Sequence, residues 1–234
     1  MVLSNYRTAL LILLQQTDLR PSFGRTWTSN PHLSKMLIQF TNFITALRFK
    51  EIFKTYQEKN QETSRLLGEA VINYKVSSVL DIGCGIAGYH SGWMKNAKGE
   101  LFLFDKSTFN LSSLRYGMGA TERYYNSLNL AKNYLARNGI KLDRIHTIEI
   151  DSKKFSYRKY DLIVSFISLG FHYHIDTYWI DIIDSIADEG LVIIDIRNNS
   201  SSHTFIEEQN KSNQIAIVSK NDYGKFTRYA FQKI

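Results

Sequence analysis

The sequence predicts an α/β fold built on a mostly parallel sheet, and three observations carry that reading. From residue 76 onward, short apolar runs alternate with stretches of helical periodicity. The first of these runs ends directly in a glycine-rich turn, and the chain closes on two strand-like runs separated by only four residues. Parallel strands need a crossover connection, so alternation of this kind places helices on both faces of a sheet. The short final connection instead demands an antiparallel hairpin.

Taken in order, residues 1–75 read as a helical N-terminal cap and 76–234 as the sheet-containing domain. The run Ala9–Leu14 is apolar but too short to span a bilayer. It has neither a basic lead nor a small-residue cleavage site after it, so it reads as a helix that packs or caps. Pro21 and Pro31 punctuate a polar stretch around Trp27, after which His32–Lys54 and Gln61–Tyr74 are helical in pattern. Strands are expected over Val76–Ile82, Leu101–Phe104, Arg144–Ile150, Tyr160–Leu169 and Leu191–Ile196, the first of them β-branched and apolar enough to be buried. Between them, Glu122–Asn138 carries Tyr124, Tyr125, Leu128, Ala131 and Leu135 at helical spacing, with Gly139 at the expected C-cap. Asp176–Ala187 places Trp179, Ile182, Ile183 and Ile186 on one helical face, with Gly190 as its stop. Asn213–Lys220 and Lys225–Ile234 are the closing strands, turned by Asn221–Gly224.

Composition narrows the class. A chain of 234 residues, 44% hydrophobic and 22% charged, can bury one sizeable core. The single cysteine, Cys84, excludes an internal disulfide and a cysteine-cluster zinc site, which points to a reducing, cytoplasmic setting. A net charge of +7 permits anionic partners. The basic residues are spread over Lys50–Lys54, Lys153–Lys159 and Lys220–Arg228, without an RRM or KH signature, so nucleic acid is possible but not favoured. No membrane partner is expected, and oligomeric state is not legible.

The most informative segment is Val79–His90, in which Gly83, Gly85 and Gly88 spell GxGxxG directly after a strand. Glycines there allow positive φ and close backbone approach, and a following helix would turn its free N–H groups to the turn. Asp105 ends the second strand about twenty residues on, where a carboxylate can accept hydrogen bonds from both hydroxyls of a ribose. His90 and Trp93, on the helix after the turn, read as packing or surface residues.

The segment Asp81-Ile82-Gly83-Cys84-Gly85 after an apolar strand resembles the first motif, Asp-x-Gly-x-Gly, of class I S-adenosylmethionine-dependent methyltransferases. NAD-binding Rossmann domains share GxGxxG but usually lack the preceding aspartate, and they lack the terminal hairpin. The resemblance spans roughly residues 60–234. It implies a Rossmann-like seven-stranded, mostly parallel sheet and S-adenosyl-L-methionine as cofactor. Asp81 and the backbone of Gly83, Cys84 and Gly85 would hold the methionine part, and Asp105 the ribose. Lys106 falls where the adenine ring rests, and Asp151 where its amino group is touched. Ser165 and Phe166, ending the fourth strand, fall beside the methionine arm.

Methyl transfer from a sulfonium is an in-line displacement, and a hydroxyl acceptor must also lose a proton. The cluster Ser168-Leu-Gly-Phe-His172-Tyr-His174-Ile-Asp176 supplies titratable groups at the C-terminal edge of the sheet, where ligands bind in open α/β folds. His172 is the favoured general base, being nearer the strand end, with His174 the second candidate. A metal-assisted variant would draw on Asp195, Asn198 and Asn199 with His172, His174 or Asp176. The acidic pair of metal-using enzymes is not clear, so no metal ligand is assigned. The fourth strand carries neither the Asn/Asp-Pro-Pro-Tyr/Phe motif of base amine methylation nor the Pro-Cys of cytosine C5 enzymes. The expectation is therefore an O-methyltransferase acting on a small molecule or sugar. An RNA methyltransferase or a non-catalytic cofactor-binding scaffold of the same fold are the alternatives. Residues 1–75 and the loop Ser107–Thr121, with Tyr116 and Met118, would select the acceptor.

Overall fold

The computed structural model describes residues 2–15, 31–95, 97–107, 126–150, 155 and 157–234. Two helices come first, α1 (Val2–Gln15) and α2 (Pro31–Ala70). They are followed by β1 (Ser78–Ile82), a single-turn α3 (His90–Trp93), β2 (Glu100–Asp105), α4 (Leu128–Arg137), β3 (Ile145–Glu149) and β4 (Tyr160–Ser165). The remainder is β5 (Ser168–Tyr173), α5 (Trp179–Ser185), β6 (Ile186–Arg197), α6 (Ser201–Lys211), β7 (Ile215–Asp222) and β8 (Phe226–Lys233).

Seven strands form one sheet in the order β3-β2-β1-β4-β6-β8-β7. The first five run parallel, and β8 lies antiparallel to both β6 and β7. This is the expected Rossmann-like arrangement with its closing hairpin. Strand β1 sits at the centre of the parallel part and is buried at every position. Side chains alternate across each strand, so Val79, Leu101, Leu103, Leu162 and Val164 face one apolar layer and Leu80, Ile82, Phe102, Phe104 and Ile163 the other. The first layer is completed by α1, α2 and α4 through Leu11, Ile12, Tyr56, Leu67, Ala131 and Leu135. The second is closed by α5 and α6 through Trp179, Ile182 and Ile206. The run beginning at Ala9 is thus a packed helix, Leu10 to Leu13 being at most 1% exposed. Among the described residues no helix is long and apolar enough to cross a membrane.

Five local expectations are corrected. The two patterns in 32–74 are one element, α2, kinked at Arg48, whose φ of −121° and ψ of 19° leave the helical region. The run Tyr160–Leu169 is two strands: Ile167 takes φ 57°, and β5 leaves the seven-stranded sheet. Gly190 is not a helix stop, because α5 ends at Ser185 and β6 begins at once. Tyr160 pairs Ile186 while Leu162 pairs Leu191, so β6 holds extra residues in a bulge where Glu189 adopts φ 61°. Helix α6, unforeseen, is started by Ser200, whose Oγ accepts the His203 N–H at 3.3 Å. The fifth correction is α3, a single turn rather than a helix long enough to present a row of free N–H groups. Helix α4 begins at Leu128 with Ser127 as cap, and 122–125 lie outside the described residues.

Candidate functional site

Parallel pairing aligns the ends of β1, β2 and β4: Asp81 lies opposite Leu103 and Val164, and Ile82 opposite Phe104. Asp81, Gly83, Cys84, Gly85, Asp105, Lys106, Ser165 and Phe166 therefore meet at one edge of the sheet. After β1 the chain turns through Gly83 at φ +69° and Gly85 at φ +56°, a region that L side chains rarely adopt. The Gly83 N–H is tied to the Phe104 carbonyl at 2.7 Å. Close approach at these glycines is made by the protein itself. A Cβ at Gly83 would stand 1.8 Å from the Ser168 Oγ, and one at Gly85 would stand 2.8 Å from Oε1 of Gln15 on α1.

The carboxylate of Asp105 organises the turn. Its Oδ2 accepts from the Gly85 N–H at 2.8 Å and from the side-chain amide of Asn126 at 2.8 Å, and its Oδ1 accepts from the Lys106 N–H at 2.7 Å. Gln15 extends the chain by donating to Asn126 at 3.3 Å. Burial pushes the Asp105 carboxyl up to about 6, against the pull of these donors and with some help from the charge of Asp81. Cys84 lies with its Sγ 3.9 Å from the same oxygen, and burial holds its thiol well above the ordinary range. Asp105, Lys106 and Cys84 thus share one edge, with Asn126 and Gln15 added to those foreseen.

Asp81 is completely buried. Its Oδ2 accepts from the Tyr89 hydroxyl at 2.6 Å and lies 3.0 Å from Nε2 of His90. The other oxygen, Oδ1, has no partner among the described residues. Burial, then the charge of Asp81, hold the Tyr89 phenol well above its ordinary value, so it stays a donor. His90, read from sequence as packing or surface, is instead a wholly buried partner of the motif aspartate. Helix α2 supports this segment from beneath: Tyr56 accepts the Gly88 N–H at 3.2 Å and Ser64 the Trp93 N–H at 2.9 Å.

Ser165 is buried, and its hydroxyl is engaged on both sides, donating to the Ile82 carbonyl at 2.7 Å and accepting the Leu169 N–H at 3.1 Å. It ties the ends of β1, β4 and β5 together, and Phe166 after it is partly buried against the first apolar layer. Phe166 packs between the Tyr89 ring, 4.9 Å away, and the Arg228 guanidinium, 4.2 Å from its centroid. Arg228 in turn makes a two-pronged pair with Asp195 at 2.6 and 2.8 Å. Asn198 is likewise engaged, donating to Asp222 and the Gly224 carbonyl and accepting from Thr227. Asp195 and Asn198 are therefore structural partners of the hairpin. Among the described residues no group of three His, Cys, Asp or Glu side chains is placed to hold a metal ion.

Strand β5 redirects the histidines. It starts with Ser168 against Gly83, passes Gly170 beside Asp195 and Ile196, and carries Phe171 to Phe226. At about 3.3 Å per residue, His172 lies roughly 13 Å along the strand from Ser168, so it does not sit next to the end of β4. Its side chain lies outside the described residues. His174 caps the single 3-10 turn Ile175–Tyr178: its Nδ1 is 2.6 Å from the Asp176 carboxylate and accepts the Asp176 N–H at 3.3 Å. Asp151 and the loop 108–125 also lie outside the described residues.

At the level of sequence, no family model and no curated protein matches this chain. Solved structures do match its fold. A ribosomal protein L11 methylase from Lactobacillus delbrueckii subsp. bulgaricus is 20% identical, with a TM-score of 0.52 over 74% of this chain and 78% of that one. An S-adenosylmethionine-dependent methyltransferase from Clostridium acetobutylicum is 15% identical, with a TM-score of 0.53 over 75% and 91%. The magnesium protoporphyrin IX methyltransferase of Synechocystis, solved with bound S-adenosylmethionine, is 14% identical, with a TM-score of 0.51 over 80% and 83%. With the sheet order, the closing hairpin and the Asp81–Gly85 turn, these likenesses establish that the chain has the class I S-adenosylmethionine-dependent methyltransferase fold.

Proposed function

We propose that the protein is an S-adenosylmethionine-dependent methyltransferase that methylates an oxygen of a small molecule or sugar. The observation that carries the cofactor assignment is the buried, unpartnered Oδ1 of Asp81 beside the positive-φ turn of Gly83 and Gly85. A buried acceptor left unpaired is costly, and the α-ammonium of a methionine moiety is the charge-assisted donor that would satisfy it. Asp105 suits the ribose: a carboxylate accepts at about four lone-pair sites, and Oδ1 receives only the Lys106 N–H among the described partners. Lys106 and Asp151 are assigned to the adenine, and Cys84, Ser165 and Phe166 to the walls of the methionine arm. When bound, the cofactor supplies an electrophilic methyl group on a sulfonium.

The chain's own contribution is alignment and proton removal. Phe166, packed between Tyr89 and Arg228, offers a flat wall with a cation behind it. His172 is assigned as general base and His174 as its neighbour on the same rim. Support for His172 is its place on β5, the strand that departs from Gly83 along the C-terminal edge of the sheet. Its distance along β5 requires an acceptor that extends beside that strand. Replacing His172 with Ala is expected to lower turnover about a hundredfold with cofactor affinity unchanged, measured by product formation and calorimetry. Full activity would remove His172 from the mechanism. Residues 1–75 are assigned as the helical cap of a methyltransferase domain at 76–234, and the lone, buried Cys84 suits a reducing cytoplasm.

The cofactor assignment is tested through Asp105. Asp105→Ala is expected to weaken binding of S-adenosylhomocysteine by roughly 1–3 kcal/mol through the lost charge-assisted hydrogen bonds. Ribose hydroxyls donate to the ionised carboxylate, so binding favours deprotonation. Because burial pushes the carboxyl of the free site up to about 6, affinity should rise as pH climbs through that value and level off above it. Asp105→Asn should flatten this profile. A wild-type affinity indifferent to pH between 5 and 7, with Asp105→Ala binding normally, would move the ribose elsewhere.

A further inference from the structure

We infer that His90 is a positioning residue for Asp81, locked in one tautomer so that a single carboxylate oxygen is left for an ammonium-bearing ligand. The inference rests on the cofactor reading above and concerns how that site recognises the amino-acid arm. Trp93 Nε1 lies 3.2 Å from Nδ1 of His90, and an indole nitrogen can only donate. Nδ1 must therefore be bare, which puts the proton of the neutral ring on Nε2. That N–H faces Oδ2 of Asp81 at 3.0 Å, and the Tyr89 hydroxyl donates to the same oxygen at 2.6 Å.

Both donors thus converge on Oδ2, while Oδ1 is buried without a partner among the described residues. The ring cannot turn over without losing its contact with Trp93. His90 and Asp81 are each 0% exposed, so no water replaces these contacts cheaply. The backbone that holds Trp93 is itself fixed by Ser64 on α2. The chain Ser64–Trp93–His90–Asp81 accordingly runs from the supporting helix to the oxygen that would receive the amine, and His90, itself fully buried, acts through Asp81.

The test compares two ligands in calorimetric titrations: S-adenosylhomocysteine, which carries the amino-acid arm, and 5′-methylthioadenosine, which does not. His90→Phe is expected to weaken the first at least tenfold and the second less than twofold. His90→Gln, whose amide can still donate to Asp81, should recover most of the loss, and Trp93→Phe should lie between. Equal weakening of both ligands, or of neither, would reduce His90 to a packing residue and overturn the inference. A wild-type protein that binds neither ligand would instead overturn the cofactor reading beneath it. Nitrogen-15 NMR of the unliganded wild-type protein checks the tautomer without any variant: a protonated Nε2 is expected, and a protonated Nδ1 would contradict the relay.

Discussion

Arg228→Ala is expected to destabilise the protein by about 3–5 kcal/mol, the cost of leaving a buried charge without its partner. The side chain of Asp195 is 2% exposed and that of Arg228 13%, and their two-pronged contact joins β6 to β8 across the antiparallel seam. Removal of the guanidinium strands the carboxylate, whose pKa burial already pushes upward against the pull of Arg228. Removal of both charges is a different experiment. The double variant Asp195→Leu with Arg228→Met should recover most of the loss, because an apolar pair of similar volume avoids the desolvation penalty. Urea unfolding of the single and double variants gives the coupling directly. A single variant within 1 kcal/mol of wild type would mean that water reaches Asp195 and that the seam is held by its ladder alone.

The second large effect is expected at Gly83. An alanine there meets two separate penalties: φ +69°, and a Cβ that would stand 2.4 Å from Cβ of Ser168. Left-handed backbone costs roughly 1–2 kcal/mol for an L residue, and forcing atoms into a packed region adds typically 1–3 kcal/mol. The clash involves the first residue of β5, so rotation of a hydroxyl does not relieve it. A total near 2–5 kcal/mol follows, with loss of cofactor binding as the turn is pushed out of shape. Gly224 in the hairpin turn separates the two contributions, since it has φ +81° and nothing within 4 Å of its would-be Cβ. Gly224→Ala should therefore show only the conformational cost. If the two substitutions prove equally mild in chemical denaturation, Ser168 does not press on the turn as described.

What the sequence made legible were features whose signal is local. The apolar run into Asp81, the glycine turn and the acidic end of β2 fall within one strand-turn-helix-strand unit, so spacing alone placed Asp81, Gly83, Gly85 and Asp105 together. The closing hairpin was legible for the same reason, its strands being joined by a few polar residues around Gly224.

The partners of these residues were hidden because they come from distant segments. Gln15 meets Asn126 across 111 positions, and Arg228 reaches Asp195 across 33. Neither pairing leaves a periodic trace. His90 failed to show its role because a histidine beside two aromatics reads as packing, and only the three-dimensional turn brings it back onto Asp81. The path after β4 was misjudged at one residue, Ile167, whose positive φ begins a separate strand. That strand moves His172 away from the place that spacing suggested. Helix α6 was missed because it is mostly polar, with Ser202 and Ile206 as its buried residues.

The central claim is that the turn after β1 holds S-adenosylmethionine rather than a dinucleotide. Calorimetric titration of the wild-type protein with S-adenosylhomocysteine and, separately, with NADH tests it most directly. The account predicts saturable one-to-one binding of S-adenosylhomocysteine and no measurable heat with NADH. Binding of NADH with no response to S-adenosylhomocysteine would contradict it.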